Sequence, residues 1–181
     1  MKLTFFDVET TDIDEIRGEL LTAYCITYEQ EKPIDEIFLT FKPDRYNQES
    51  YKIHKISYEE AMCFDDKWES LYSLLAYFNN HKEGLFCCHA NYSMFGVHGH
   101  FDRKMVKAAC AKRSAKTEKW FQENFPDGKF ISTHTLSKRL LGLAKNDLKS
   151  VSEHYGIDFK HHDCKEDTDV MVKIFFKIKA E

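Results

Sequence analysis

The first third of the chain carries its apolar residues in strand-like runs. Residues 3–8 are rich in β-branched and aromatic side chains, and 20–28 and 34–41 follow, the last two separated by the polar turn Glu29-Gln30-Glu31-Lys32-Pro33. Three such runs in succession, with a short second connection, predict an antiparallel meander. The period then changes: Trp68, Leu71, Tyr72, Leu75 and Phe78 recur at helical spacing, and Asp66 with Glu69 reads as a capping box. Residues 85–89 form a short apolar run of the kind a buried strand makes. A basic helix opens at Phe101 and carries Arg103, Lys104, Lys107, Lys112 and Arg113. Pro126-Asp127-Gly128 reads as a turn and 129–132 as a fifth strand. Short helices are expected over 134–141 and 147–155, the second capped by Asn146 and closed by Gly156 in a left-handed conformation. A last helix, over 164–179, turns Val170, Met171, Ile174, Phe175 and Ile178 inward. This order predicts an α/β fold: a mixed five-stranded sheet, its first three strands antiparallel, flanked by helices. No repeat or linker is visible, so residues 1–181 are expected to form a single domain.

Composition excludes several classes. With 181 residues, 43% hydrophobic and 31% charged, the chain can bury one sizeable core and does not resemble a disordered segment. No apolar run approaches the roughly 18 residues of a membrane span, so no membrane association is expected. The N-terminus reaches Asp7 and Glu9 too early for the apolar stretch of a secretory signal. Six cysteines without a Cys-x-x-Cys pair read as reduced, buried thiols of a cytoplasmic protein. In that setting the glycosylation-type triplet Asn91-Tyr92-Ser93 carries no meaning. Charge is unevenly spread: residues 1–70 hold 17 acids and 8 bases, and residues 71–181 hold 13 acids and 18 bases. An acidic half beside a basic half suits a metal site next to a polyanion-binding surface, or simply a solvated surface.

The informative acids sit at the ends of elements. On the first strand Leu3, Phe5, Asp7 and Glu9 share one face and Thr4, Phe6 and Val8 the other. Carboxylates two residues apart on a strand are about 6.5–7 Å apart, a spacing suited to bracketing a pair of metal ions. The plainer alternative is a strand that ends at Val8 with both acids solvated. Asp167 lies three residues before Val170 and seven before Ile174, on the apolar stripe of the last helix, where a bare charge is costly unless paired or bound to a cation. It can equally be a first-turn acid facing water and favoured by the helix dipole. Asp102 opens the basic helix, a place where an acid is most often a cap. His162 lies five residues before Asp167.

These segments resemble the three motifs of the DEDDh 3′–5′ exonucleases, the group that includes RNase T and the proofreading ε subunit of bacterial DNA polymerase III. The run from Phe5 to Asp12 (FFDVETTD) resembles the first motif, FDRKMV from Phe101 the second, and His162 to Asp167 (HDCKED) the third. Ile53-His54-Lys55-Ile56 is similar to the family's Ile-His-Gly-Ile segment, Ser132 to Leu136 to its Asp-Thr-Leu segment, and Leu148 to Ile157 to the helix before the third motif. Three departures stand out. Asp12 replaces the usual glycine. The second motif is split, with Cys88-His89-Ala90-Asn91 separated from Phe101-Asp102. Either a loop is inserted and Asp102 is the motif acid, or Phe95-Gly96 occupies the motif and the acid is lost; the helix continuing from Asp102 favours the first. His161 competes with His162 as the motif histidine; the spacing to Asp167 favours His162, leaving His161 to pair with Glu166.

The resemblance implies an RNase H-like exonuclease fold. It implies hydrolysis of phosphodiester bonds at nucleic-acid 3′ ends, DNA or RNA, with release of 5′-mononucleotides. Asp7, Glu9, Asp102 and Asp167 would hold two divalent cations, Mg²⁺ or Mn²⁺, since oxygen ligands suit these ions better than zinc. His162, with an ordinary pKa of about 6.5, would be the general base. Thr10 and His54 would touch the terminal nucleotide, Tyr92 and Phe95 are candidates for stacking on bases, and the basic helix with residues 112–119 would follow phosphates. Pairing with a second copy or with a polymerase is compatible with the family. Two rivals belong to other classes. One is an exonuclease-fold module that grips ends or a polymerase without cutting. The other is a zinc-binding interaction protein using Cys87, Cys88, His89 and Cys164, although adjacent cysteines on a strand face opposite sides.

Overall fold

The computed structural model describes residues 1–89 and 100–181. Tyr92, Phe95, the Asn91-Tyr92-Ser93 triplet and the Phe95-Gly96 alternative for the second motif lie outside the described residues. Strands β1 (Lys2–Thr10), β2 (Leu20–Glu29) and β3 (Lys32–Thr40) form the antiparallel meander. Gln30 and Glu31 turn β2 into β3 with φ of 51° and 64°, the left-handed pair that matches strand twist in tight hairpins. Two single-turn helices follow, α1 (Tyr51–His54) and α2 (Tyr58–Ala61), then α3 (Lys67–Asn80), β4 (Leu85–Cys88), α4 (Phe101–Arg113), α5 (Ala115–Asn124), β5 (Phe130–Ser132), α6 (Thr133–Leu140), α7 (Leu148–His154) and α8 (Cys164–Ala180). The five-stranded sheet has the order β3-β2-β1-β4-β5; β4 runs parallel to β1 and β5 parallel to β4.

Both faces of the central strand β1 are buried, as its alternation predicts. Phe6 and Val8 face Leu71, Leu74 and Phe78 of α3, Met105 and Val106 of α4, and Phe121 and Phe125. Leu3 and Phe5 face Tyr24, Ile26 and α8, where Met171 and Val172 meet them. Edge-on ring pairs tie each layer to the strand, with centroids 5.3 Å apart for both Phe6–Phe78 and Phe5–Phe175. A second stripe of α8, Val170, Ile174 and Ile178, packs on Leu148 and Val151 of α7. The last helix is thus held on two sides, which fixes where its first turn points.

Several local expectations are corrected. The strand does not end at Val8 but continues through Thr10. Asp147, not Asn146, caps α7: its carboxylate accepts the Ser150 N–H at 3.0 Å, while the Asn146 amide turns back to the Leu143 carbonyl. Gly156 has φ +65°, as expected. Residues 112–119 are not one basic track. Ser114, with fully extended backbone (φ −175°, ψ 154°), ends α4, and its hydroxyl accepts the Thr117 N–H to start α5. All six cysteines are free thiols. No helix among the described residues is long and apolar enough to cross a membrane.

Candidate active site

Asp7 and Glu9 follow Leu3 and Phe5 on the face of β1 that α8 covers. Asp167 stands in the first turn of α8, so the two elements bring the three acids together. Ligand oxygens of Asp7, Glu9 and Asp167 all lie within 4.8 Å of one another. The β1–β2 register shifts between Glu9 and Thr10, an irregularity that re-aims side chains where the strand meets the site. Asp163 caps α8, accepting the N–H groups of Lys165 and Glu166 at 3.1 and 3.2 Å, and adds a further negative charge beside the cluster.

Asp102 comes from the third segment. It lies in the first turn of α4, behind the helix cap at His100, and is only 3% exposed. The Val8 N–H and the Cys88 thiol lie near its carboxylate and favour its charged form. It is not one of the three acids within 4.8 Å, yet its charge is felt by both Asp7 and Glu9.

The electrostatics are those of buried acids that repel one another. Burial pushes Asp7 well above the usual carboxyl range, and its neighbours Asp102, Glu9, Asp167 and Asp163 push it further. Glu9 is raised to about 8, first by burial and then by Asp167, Asp102 and Asp163. Burial raises Asp102 to about 6 against the opposing pull of its hydrogen bonds. Among the described residues, the neighbours that shift Asp7 and Glu9 most are all acids. A divalent cation is the group that removes this frustration, and an all-oxygen cluster fits Mg²⁺ or Mn²⁺.

The two histidines divide differently from the sequence expectation. The backbone N–H of His162, whose φ is +70°, donates to Asp167 Oδ2 at 3.2 Å. The side chain that reaches Asp167 belongs to His161, with Nδ1 3.2 Å from Oδ1. His161 therefore does not pair with Glu166, which instead accepts the Lys160 N–H at 2.7 Å. The two imidazoles stack with centroids 3.9 Å apart and planes 11° from parallel, leaving the His162 ring exposed to solvent.

Thr10 and His54 are both bound up in local structure. The Thr10 hydroxyl donates to the Asp12 carbonyl at 3.0 Å. His54 accepts the Ile56 N–H at Nδ1, which places its proton on Nε2 facing the Ser50 hydroxyl at 3.0 Å. Burial, aided by the charge of nearby His162, lowers it to about 4. Lys55 stands where the family pattern has glycine and adopts φ +62°, the conformation glycine would take without strain. Asp12, the other replaced glycine, has no positive φ, and its carboxylate accepts the Asp14 N–H at 3.0 Å.

Five of the basic residues expected to follow phosphates have protein partners, Lys119 pairing with Glu123 among them. Arg103 is buried and donates to the Phe125 carbonyl, Lys112 to the Gly18 carbonyl, Arg113 to the Tyr72 hydroxyl, and Lys107 pairs with Glu118. The zinc alternative fails on geometry. Cys87 and Cys164 pack in the layer under α8, and Cys88 lies in the opposite layer against His100 and Asp102. His89 bonds the Thr133 hydroxyl at 2.7 Å. Sequence reasoning missed His161 as the partner of Asp167, and Asp163 beside the cluster. The second was legible as an Asp-x-x-Glu capping pattern ending at Glu166.

No family model matches the chain, and no curated protein matches it in sequence. Solved structures do match. E. coli exonuclease I in complex with a dT13 oligonucleotide superposes with a TM-score of 0.78 at 14% identity, over 98% of this chain and 41% of that one. The nuclease domain of 3′hExo, a DEDDh family member bound to rAMP, gives 0.74 at 12% identity, over 99% of this chain and 92% of that one. A zinc-ion-bound E. coli exonuclease I–single-stranded DNA complex gives 0.70 at 15%, over 99% and 40%. The fold is that of the exonucleases. The chain spans about 40% of the length of the exonuclease I proteins it matches.

Proposed function

We propose that this chain is a metal-dependent 3′–5′ exonuclease that releases 5′-mononucleotides from DNA or RNA ends. The observation that carries the reading is the convergence of Asp7, Glu9 and Asp167 within 4.8 Å, with buried Asp102 beside them, in an exonuclease fold. Asp7, Glu9 and Asp167, with Asp102 from α4, would hold two divalent cations, Mg²⁺ or Mn²⁺. When bound, these ions supply acidification of a water and stabilisation of the attacking and leaving oxygens of an in-line displacement.

The remaining steps belong to the protein. His162 takes the proton of the attacking water at its solvent-facing ring, whose pKa is held below the ordinary value by partial desolvation and by His161. Its left-handed backbone aims the N–H at Asp167 and frees the ring to face the substrate. Thr10 fixes the turn that follows the two β1 acids, and His54, neutral and internally bonded, shapes the wall near His162 where the terminal nucleotide sits. Unliganded, the carboxylates repel a phosphodiester, so substrate binds productively only with the cations. Six free thiols support a reducing, cytoplasmic setting.

The test is a panel of labelled DNA and RNA with free or blocked 3′ ends, assayed with Mg²⁺, with Mn²⁺ and with EDTA. Mononucleotide release from free 3′ ends only, absent in Asp7→Ala, is expected. Retention of ends without cleavage under every metal condition would favour the end-binding module instead.

A further inference from the structure

Asp167 belongs to a second cluster besides the three carboxylates. Ligand atoms of His161, His162 and Asp167 also lie within 4.8 Å of one another. We propose that His161 Nδ1 is a metal ligand beside Asp167, giving this ion site one nitrogen donor and a preference for Mn²⁺ or Zn²⁺ over Mg²⁺. The proposal rests on the reading of the carboxylates as a cation site and adds a donor of different chemistry.

Distances fit. Nδ1 is 3.2 Å from Asp167 Oδ1 and 3.4 Å from Oδ2. Two adjacent ligands of a first-row ion, each about 2.1 Å from it at angles of about 90–110°, stand about 3.0–3.4 Å apart. The hydrogen bonding also accommodates a cation. His161 Nδ1 accepts the His162 N–H at 3.0 Å, and the same N–H donates to Asp167 Oδ2 at 3.2 Å. In the tautomer that accepts the His162 N–H, Nδ1 turns a lone pair toward the Asp167 carboxylate. An ion at that point satisfies both, and the N–H keeps its bond to Asp167.

The ring is also held in place. It stacks on His162 at 3.9 Å and lies 5.3 Å from the Phe159 ring, so little side-chain freedom is lost on binding. Lys160 occupies Glu166, the acid that would otherwise draw the imidazole away. His161 is 35% exposed at its side chain, open enough for an ion to enter. Mg²⁺ strongly prefers oxygen and keeps its waters, whereas imidazole suits zinc and is accepted by manganese. A nitrogen beside Asp167 therefore separates these ions where a purely carboxylate site does not.

The experiment loads the full chain with Mn²⁺ and records pulsed EPR, in which a coordinated imidazole gives nitrogen modulation. Wild type, His161→Phe, His162→Phe and Asp7→Asn are compared, with Mn²⁺, Zn²⁺ and Mg²⁺ affinities measured by calorimetry and folding checked by circular dichroism. His161→Phe keeps the stack while removing the donor. Nitrogen coupling in wild type and His162→Phe but not in His161→Phe is expected. Zn²⁺ binding should weaken at least about tenfold in His161→Phe, with Mg²⁺ unchanged. Mn²⁺ binding that depends on Asp7 but shows no nitrogen coupling, or coupling that survives His161→Phe, overturns the assignment and leaves the carboxylate site standing. Absence of divalent binding to the wild type overturns both.

Discussion

Replacing Glu9 by glutamine keeps its shape and removes one charge from a crowded acidic cluster, so it should stabilise the metal-free protein. Glu9 releases its proton near 4.5 when unfolded and near 8 when folded. Between those values the folded state retains a proton that the unfolded chain has lost, so the stability of the wild type falls as pH rises through this window. Above it the full penalty is about 5 kcal/mol, taking 1.36 kcal/mol for each tenfold change in proton affinity. Asp7 and Asp102 share the repulsion and can hold protons in its place, which brings the expected gain for Glu9→Gln down to roughly 2–5 kcal/mol. For a chain of this size that is a rise in melting temperature of at least about 4 °C. The assay is guanidinium and thermal unfolding in EDTA from pH 5 to pH 9. The gap between variant and wild type should be small at pH 5 and largest at pH 8.5. In saturating Mn²⁺ the order should reverse, because the wild type, with one more carboxylate ligand, gains more binding energy in the folded state. A variant no more stable than wild type in EDTA at pH 8.5, or a gap that does not grow with pH, would refute the reasoning.

Two further outcomes follow from backbone geometry and from the histidine pair. His162→Asn, chosen because asparagine tolerates the left-handed backbone at this position, should lower the rate of mononucleotide release at least about 100-fold while leaving Mn²⁺ affinity intact by calorimetry; equal losses in both would show that His162 serves the metal instead. Lys55→Gly should raise stability by about 0.5–1 kcal/mol in denaturant titrations, since it relieves a left-handed residue of its Cβ at a modest cost in unfolded-state entropy.

What the sequence revealed depended on the range of the interaction. The β1 acids were legible because alternation assigns Asp7 and Glu9 to one face, and Asp167 because helical spacing puts it on the buried stripe of α8. The number of strands and the antiparallel meander followed from the same periodicities, while the strand limits shifted by one or two residues. Asp102 was harder, since its motif is split by residues 90–99, and only the structure brings it to the Val8 N–H and the Cys88 thiol. The roles of His161 and His162 were not legible. They turn on the positive φ of His162, and nothing in a His-His dipeptide encodes that. The helix α5 was hidden by lysines on its exposed face, and α1 and α2 are too short to show a period. Asn146 and Asp147 are both good caps, and one residue of phase decided between them.

The cluster joins the first strand of the chain to its last helix. During synthesis β1 emerges early, yet Asp7 and Glu9 have no Asp167 to meet until α8 has left the ribosome and docked on Phe5 and Tyr24. A chain without α8 lacks Asp167 and cannot complete the three-acid cluster.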